Sequence, residues 1–230
     1  MREFTILMPC LNEAEALAFC IAEARASIEH LGLDAEILIA DNGSTDGSPE
    51  IARQNGARVV TVAQTGYGNA LLGGIRAATG TFVIMGDADG SYDFSRLSPF
   101  VEALRSGNAL VVGNRFLGGI EPGAMSLSHR IGVRVLSALA RWRFRAPVGD
   151  FHCGLRAFDR EKALGLNLQC PGMEFATEII ARFAQSGAPI TQIPTPLRRD
   201  RRSGRSHLRT IRDGLRHLYV IFFLQITKQE

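Results

Sequence analysis

Short aliphatic runs recur at residues 4–8, 36–40, 58–62, 81–85 and 109–112, and each gap between them has room for one helix. The runs are rich in Ile, Val and Leu, as strands of a sheet covered on both faces are. The gaps carry a different period. Leu17, Ile21, Ala24, Ile28 and Leu31 fall on one face of a helix predicted over 13–31. Ser48-Pro49 reads as an N-cap followed by proline at the first helical position, and further helices are expected over 67–78 and 95–105. Strand–helix alternation of this kind builds an α/β fold with a mostly parallel sheet flanked by helices. A chain of 230 residues fits one large domain of that type.

In such sheets ligands bind beyond the carboxyl ends of the strands. The residues placed there are Pro9, Asn12 and Glu13 after the first run, Asp41 after the second and Gly66 to Asn69 after the third. Asp87 and Asp89 follow the fourth, and Asn114 and Arg115 the fifth. Polar groups from five strand ends are thus expected on one rim. The second half is less regular. Helices are expected over 126–143, with Arg130, Arg134 and Arg141 on it, and over 172–185, and strands over 153–158 and 189–194. A basic loop, 198–205, leads into an amphipathic helix from 206 to about 226, with Leu208, Ile211, Leu215, Leu218, Phe222 and Ile226 as its apolar stripe.

The stretch GDADGSYD, residues 86–93, concentrates charge at a strand end. Asp87 and Asp89 are alternate residues, so along an extended chain they share a side. Like charges that close repel unless a cation lies between them, and hard carboxylate oxygens favour magnesium or manganese. An Asx turn in a solvated loop explains Asp-Gly-Ser equally well. Asp93 reads as a helix-start residue. Asn12 and Glu15 have capping-box spacing, which would make Asn12 a cap and leave Glu13 facing the rim. Asp41 is placed to accept hydrogen bonds from a ribose or a base. TGYGNALLGGI is glycine-rich at a helix start, which suits close approach of phosphate. Leu71 stands where a dinucleotide fingerprint needs its third glycine, and Gly-Lys-Ser/Thr is missing, so nicotinamide enzymes and P-loop hydrolases are disfavoured.

Taken in order, LMPCLNE, IADNGSTDGS, GYGNALLGGI, GDADGSYD and GNRF resemble glycosyltransferase family 2, which uses nucleotide-diphosphate sugars on a GT-A type, Rossmann-like fold. DFHCGLRAFDR, GMEFATEII and RRDRRSGRSHLR are similar to the dolichyl-phosphate mannose synthase and polyprenyl-phosphate glycosyltransferase branch. The resemblance implies that Pro9, Asn12, Glu13 and Asp41 line the nucleoside pocket and that Gly68 and Asn69 border the nucleotide. It matches Asp87 and Asp89 to the metal-binding DxD motif, with Asp89 the more direct ligand of Mg2+ or Mn2+. Relatives often carry glutamine two residues after the second Asp; Ser91 stands there here, which leaves the third ligand unassigned. Arg115 and Arg130 match positions that grip an acceptor phosphate. Arg201, Gly204 and Ser206 match a loop over the diphosphate, which commonly ends in lysine where this chain has His207. Residues 1–205 would be the catalytic domain and 206–230 an amphipathic juxtamembrane helix.

A polyprenyl phosphate acceptor is largely ionised at neutral pH and attacks without a base; it needs positive charge to position it. A hydroxyl acceptor would need a base, for which Asp150 and Glu174 are the candidates, each also readable as a turn or cap residue. A sugar nucleotidyltransferase would want a basic glycine-rich loop after the first strand, whereas PCLNEAEA is acidic. A non-catalytic nucleotide-binding protein would leave the acid pair without a purpose. Net charge is only +3, yet residues 198–217 hold eight arginines against two aspartates, which points to an anionic partner. Those segments lack the interleaved aromatics of nucleic-acid binders, so no nucleic acid is expected. A basic stripe beside an apolar one suits peripheral contact with an anionic membrane, at its cytoplasmic face. Four cysteines without a CxxC pair read as free thiols, no signal-peptide pattern precedes the first run, and no apolar run reaches spanning length.

Overall fold

The computed structural model describes residues 2–202 and 210–224. Its seven-stranded sheet comprises β1 (Arg2–Cys10), β2 (Ala35–Asp41), β3 (Arg58–Thr61), β4 (Gly80–Met85), β5 (Leu110–Asn114), β6 (Arg156–Asp159) and β7 (Ile190–Pro194), in the order β3-β2-β1-β4-β6-β5-β7. The helices are α1 (Ala14–Leu31), α2 (Ser48–Gln54), α3 (Tyr67–Ala77), α4 (Ser98–Arg105), α5 (Arg115–Gly118), α6 (Leu127–Phe144), α7 (Arg160–Gly165), α8 (Phe175–Gln185) and α9 (Thr210–Phe223). All pairings are parallel except those of β6, which runs antiparallel to both β4 and β5. The carboxyl ends of β1, β2, β3, β4 and β5 therefore share one rim. The strand order reverses direction at β1, between β2 and β4, the kind of crevice where α/β sheets bind ligands.

Alternation along β1 builds both core layers. Phe4, Ile6, Met8 and Cys10 enter one layer with Leu17, Cys20 and Ile21 of α1. Leu7 enters the other with Leu71 and Ile75 of α3 and Ile179 and Phe183 of α8. At the rim opposite the strand ends, Glu36 ties three strands together. It accepts from Thr5 Oγ1 (2.9 Å), Thr79 N and Oγ1 (both 2.8 Å), and Arg58 Nε and Nη2 (2.9 and 3.1 Å). Burial alone would raise its carboxyl, but the donors from Arg58, Thr79 and Thr5 hold it down at about 2.

Several local expectations are corrected. Asn12 does not cap α1: it has φ 58°, and its Oδ1 accepts from Thr45 N at 2.8 Å. Glu13 takes the cap position, and the open amides at this end are met from the start of α2 and the turn before it, Glu13 N by Ser48 Oγ (3.0 Å) and Ala14 N by Asp46 Oδ2 (3.0 Å). Gly47, not Ser48, is the N-cap of α2. The fourth helix begins at Ser98 rather than 95, because Asp93 accepts from Ser95 N and closes a turn of its own. The strand expected over 153–158 starts at Arg156, and Asp159 at its end caps α7 through Lys162 N (3.0 Å). On α9 the buried residues are Asp213, His217, Val220 and Ile221, whereas Leu215 and Phe222 of the expected apolar stripe are exposed. Residues 206–209 and 225–226 of that expected helix lie outside the described residues.

Candidate active site

Asp87 and Asp89 lie just beyond β4. Tyr67, the first residue of α3, donates its hydroxyl to Asp87 Oδ1 at 2.8 Å. The Gly154 backbone closes the other side: a Cβ there would stand 2.3 Å from Asp87 Oδ2, so only glycine leaves room for the carboxylate. Gly154 N in turn donates to Tyr92 Oη at 2.7 Å. Burial and the neighbouring Asp89 charge push the Asp87 carboxyl up, against the Tyr67 hydroxyl and the charges of Arg115 and Arg202. Asp89 Oδ1 accepts from Ser91 N at 2.9 Å, an Asx-turn contact, while Oδ2 stays turned to the rim and meets Arg202 Nη2 at 3.1 Å. Turn and rim contact thus use different oxygens of one carboxylate. Glu13 joins the group through Arg202 Nη1 at 3.0 Å, and burial pushes its carboxyl up to about 7.

Among the described residues, no three or more His, Cys, Asp or Glu side chains gather as a complete metal cage. That is compatible with magnesium or manganese, which bind through one or two carboxylates and take the remaining oxygens from phosphate and water. Two adjacent all-oxygen carboxylates that already attract a guanidinium fit that donor set.

The nucleoside candidates sit at the ends of β1 and β2. Pro9 pairs with Ala40, and Asp41 accepts from Gly43 N and Ser44 N at 3.2 and 3.3 Å, which fixes its carboxylate in the turn. Asn42 binds this turn to the next strand end, donating to Val62 O and Gln64 O and accepting from Gly66 N. Gly68 is pressed against the loop before α8, where a Cβ would lie 2.0 Å from Cys170 O. Asn69 N donates to Pro171 O and its side chain to Thr65 O.

The other side of the rim is basic. Arg115 donates to Asp150 from Nε (2.7 Å), Nη2 (2.8 Å) and its backbone N (3.3 Å), and His152 N adds a fourth contact (3.1 Å). Asp150 is fully buried and wholly committed to this pair. Burial and then the Arg115 charge push the His129 imidazole, near the start of α6, down. One turn on from Arg130, the Arg134 guanidinium lies 4.7 Å from the Phe116 ring centre. Arg130 Nε is buried with no hydrogen-bond partner. Glu174 Oε1 accepts from Gly172 N at 3.1 Å, and its other oxygen lies 3.8 Å from Arg216.

In the basic loop, Arg201 donates its backbone N to Asp89 O at 2.8 Å and stacks its guanidinium 4.1 Å over Phe19. Its neighbour Arg202, which sequence reasoning passed over, is the one that reaches the carboxylates. Ser206 and Gly204 lie outside the described residues. Tyr67 and Gly154 were also missed. Tyr67 stands inside the glycine-rich helix start, where the glycines carry the phosphate signal; Arg202 is one arginine in a run where only backbone placement separates it from Arg201.

A mostly parallel sheet interrupted by one antiparallel strand, with acids at the β1/β4 crevice, defines a GT-A type fold. Glucosyl-3-phosphoglycerate synthase from Mycobacterium tuberculosis, solved with Mn2+, UDP and phosphoglyceric acid, superposes with a TM-score of 0.72 over 96% of this chain and 78% of that one, at 25% identity. The chain belongs to glycosyl transferase family 2, which matches residues 5–165. Among curated relatives, the low-salt glycan biosynthesis hexosyltransferase Agl6 of Haloferax volcanii is 36% identical over 217 residues. The match covers 93% of this chain and 52% of Agl6, so the chain spans about half that relative's length. A dolichyl-phosphate hexose transferase of the same organism is 30% identical over 196 residues, covering 85% of this chain and 83% of the relative.

Proposed function

We propose that this chain transfers a sugar from a nucleotide-diphosphate donor to a polyprenyl phosphate, with inversion at the anomeric carbon. The observation that carries the acceptor reading is Arg130, whose buried Nε has no hydrogen-bond partner and which lies one turn before the Arg134 that stacks on Phe116, the sequence neighbour of Arg115. An anionic oxygen supplies what that donor lacks. Of the two candidate bases, Asp150 supports the same reading. Asp150 is locked to Arg115, and a phosphate acceptor, already ionised, needs no base. A phosphate oxygen forms the bond to the anomeric carbon, the bond from that carbon to the diphosphate breaks, and the nucleoside diphosphate leaves with the electron pair. Asp87 and Asp89 would hold Mg2+ or Mn2+, which when bound supplies positive charge for the departing diphosphate. Tyr67 and Gly154 keep Asp87 in place; Arg115 and Arg130 orient the acceptor.

A second reading, a hydroxyl acceptor with Glu174 as base, is favoured by the Glu174 Oε2, which has no hydrogen-bond partner. The phosphoglyceric acid in the superposed synthase supports it as well.

Contact with the cytoplasmic face of a membrane would follow from a lipid acceptor. Leu127, Ile131, Val135 and Trp142 form an exposed stripe along α6, and Leu215, Tyr219, Phe222 and Phe223 are exposed on α9, which packs beside it. Among the described residues no helix is long and apolar enough to cross a membrane.

The test is release of nucleoside diphosphate from a panel of nucleotide sugars with Mg2+ or Mn2+ and a short polyprenyl phosphate, with phosphoglycerate as competitor acceptor. Release that needs polyprenyl phosphate and metal, and falls at least a hundredfold in Asp89→Ala, is the expected outcome. Release with phosphoglycerate alone would replace the lipid acceptor by the hydroxyl one.

A further inference from the structure

The guanidinium of Arg202 sits where the acids converge. Its Nη1 is 3.0 Å from Glu13 Oε1, and its Nη2 is 3.1 Å from Asp89 Oδ2 and 2.9 Å from Asp200 Oδ2. Only 12% of the side chain is exposed. The main chain around it is tied to the same acidic loop, Arg201 N donating to Asp89 O (2.8 Å) and Arg198 N to Ser91 O (2.9 Å). Residues 198–202 thus cross the loop that carries the DxD pair, with a cation pointing into it.

The fit is incomplete, and the incompleteness is informative. Glu13 Oε2 and Arg202 Nε are both buried without hydrogen-bond partners. A guanidinium committed to a carboxylate engages it as a two-pronged fork, as Arg115 does with Asp150. Arg202 instead gives single bonds to three acids, and the leftover polar atoms carry a desolvation cost that a better-matched occupant would remove. Two positive groups cannot both press on Asp89 Oδ2 without repelling each other.

We propose that Arg202 is an exchangeable counter-ion of the acid pair: it balances Asp89 and Glu13 while the site is empty, and hands Asp89 over when a divalent ion enters with a nucleoside diphosphate. The inference rests on the reading that Asp87 and Asp89 hold the ion. Arg202 and the ion are alternatives on Asp89, so the protein disfavours the bare ion. The diphosphate oxygens are the natural new partner of the released guanidinium, being anionic and planar-fork compatible. Arg202 thereby favours the ion–diphosphate pair over either component alone.

The test is Mn2+ binding, followed by the electron paramagnetic resonance signal of the free ion, first alone and then with UDP or GDP. The proteins are the parent chain, Arg202→Met and Arg202→Lys. Arg202→Met is expected to bind Mn2+ alone about tenfold more tightly and to lose about tenfold of the tightening of Mn2+ that the nucleotide brings in the parent, the worth of one charge-assisted hydrogen bond. Arg202→Lys, which keeps the charge without the fork, falls between and carries the test if the methionine variant fails to fold. The opposed signs exclude a merely structural role, which would weaken both. Mn2+ binding alone no tighter in the variants than in the parent overturns the proposal while leaving the ion site intact. Absence of Mn2+ binding in every protein, with or without nucleotide, overturns the ion reading itself and this inference with it.

Discussion

Glu36 shows what one buried charge does when every oxygen is used. Five hydrogen bonds from Thr5, Arg58 and Thr79 converge on it from β1, β3 and the loop before β4. Glu36→Gln keeps the shape but removes the charge and replaces one of the two acceptor oxygens by an NH2, which cannot accept from the Arg58 guanidinium or the Thr79 amide. A loss of about 2–4 kcal/mol in urea unfolding is expected. The pH dependence has a fixed sign. The folded carboxyl titrates at about 2, below its ordinary value near 4.5, so its contribution is full above 4.5 and is lost as pH falls from there toward 2. The variant should flatten that acid limb of the stability curve. Nothing in the sequence marks Glu36 out: it is one polar residue at the start of an aliphatic run. The rim residues were easier to find because strand ends of a parallel sheet point them to one place. Even so, the partner of each carboxylate was not legible. Arg115 was assigned to phosphate and Asp150 weighed as a base, and only the folded chain shows the two joined.

At the level of elements, periodicity located every strand and nearly every helix, and it failed where a cap or a face is set by a distant segment. The α1 start depends on Asp46 and Ser48, over thirty residues away, so local capping rules misassigned Asn12. The C-terminal helix is the stronger case. Its apolar stripe, Leu215 and Phe222 included, is matched in the sequence to a membrane surface, which leaves the inner face unassigned; there α6 and α8 offer a partly polar groove that takes His217. His217 Nδ1 shares a hydrogen bond with Thr177 Oγ1 at 2.8 Å, and its ring meets the edge of His152 at 4.4 Å. Burial holds the His217 imidazole down at about 4, with Asp213 opposing and Arg156 reinforcing the shift. The unfolded chain takes up that proton first, near 6.5, so docking of α9 weakens as pH falls from about 6.5 to about 4 and is unaffected above that window. His152, pushed down by burial and by His217, acts with the same sign. Hydrogen exchange of the α9 amides should accelerate across this window in the parent and much less in His217→Gln.

At the scale of the whole molecule, two packed helices, α6 and α9, each expose large apolar side chains, of which Trp142, at 75% exposure, is the most accessible. Arg134, Arg141 and Arg212 are exposed on the same two helices, and Arg145 is exposed at the C-cap of α6. Apolar residues with flanking arginines bind anionic lipid surfaces more strongly than neutral ones. Co-sedimentation with phosphatidylglycerol vesicles is therefore expected, with weaker binding to phosphatidylcholine. Ile131→Glu combined with Phe222→Glu should reduce the bound fraction about tenfold or more, given roughly 2 kcal/mol for each buried apolar side chain. Equal binding by the parent and the double variant would remove the membrane-facing role from this side. The sequence announced half of this surface, the half on α9; the α6 half was hidden because that helix was read for its arginines.

The antiparallel strand has a consequence for how the protein comes off the ribosome. β4 and β5 are not neighbours: β6, made more than forty residues after β5 begins, lies between them. While the chain is being made, β1 to β4 can pair as an open sheet, but β4 keeps one bare edge until residue 159 has emerged. The carboxylate half and the arginine half of the rim are therefore separate objects during synthesis. A single late strand insertion brings them into register, so a ribosome stalled before β6 holds a stretch of sticky edge and no site at all.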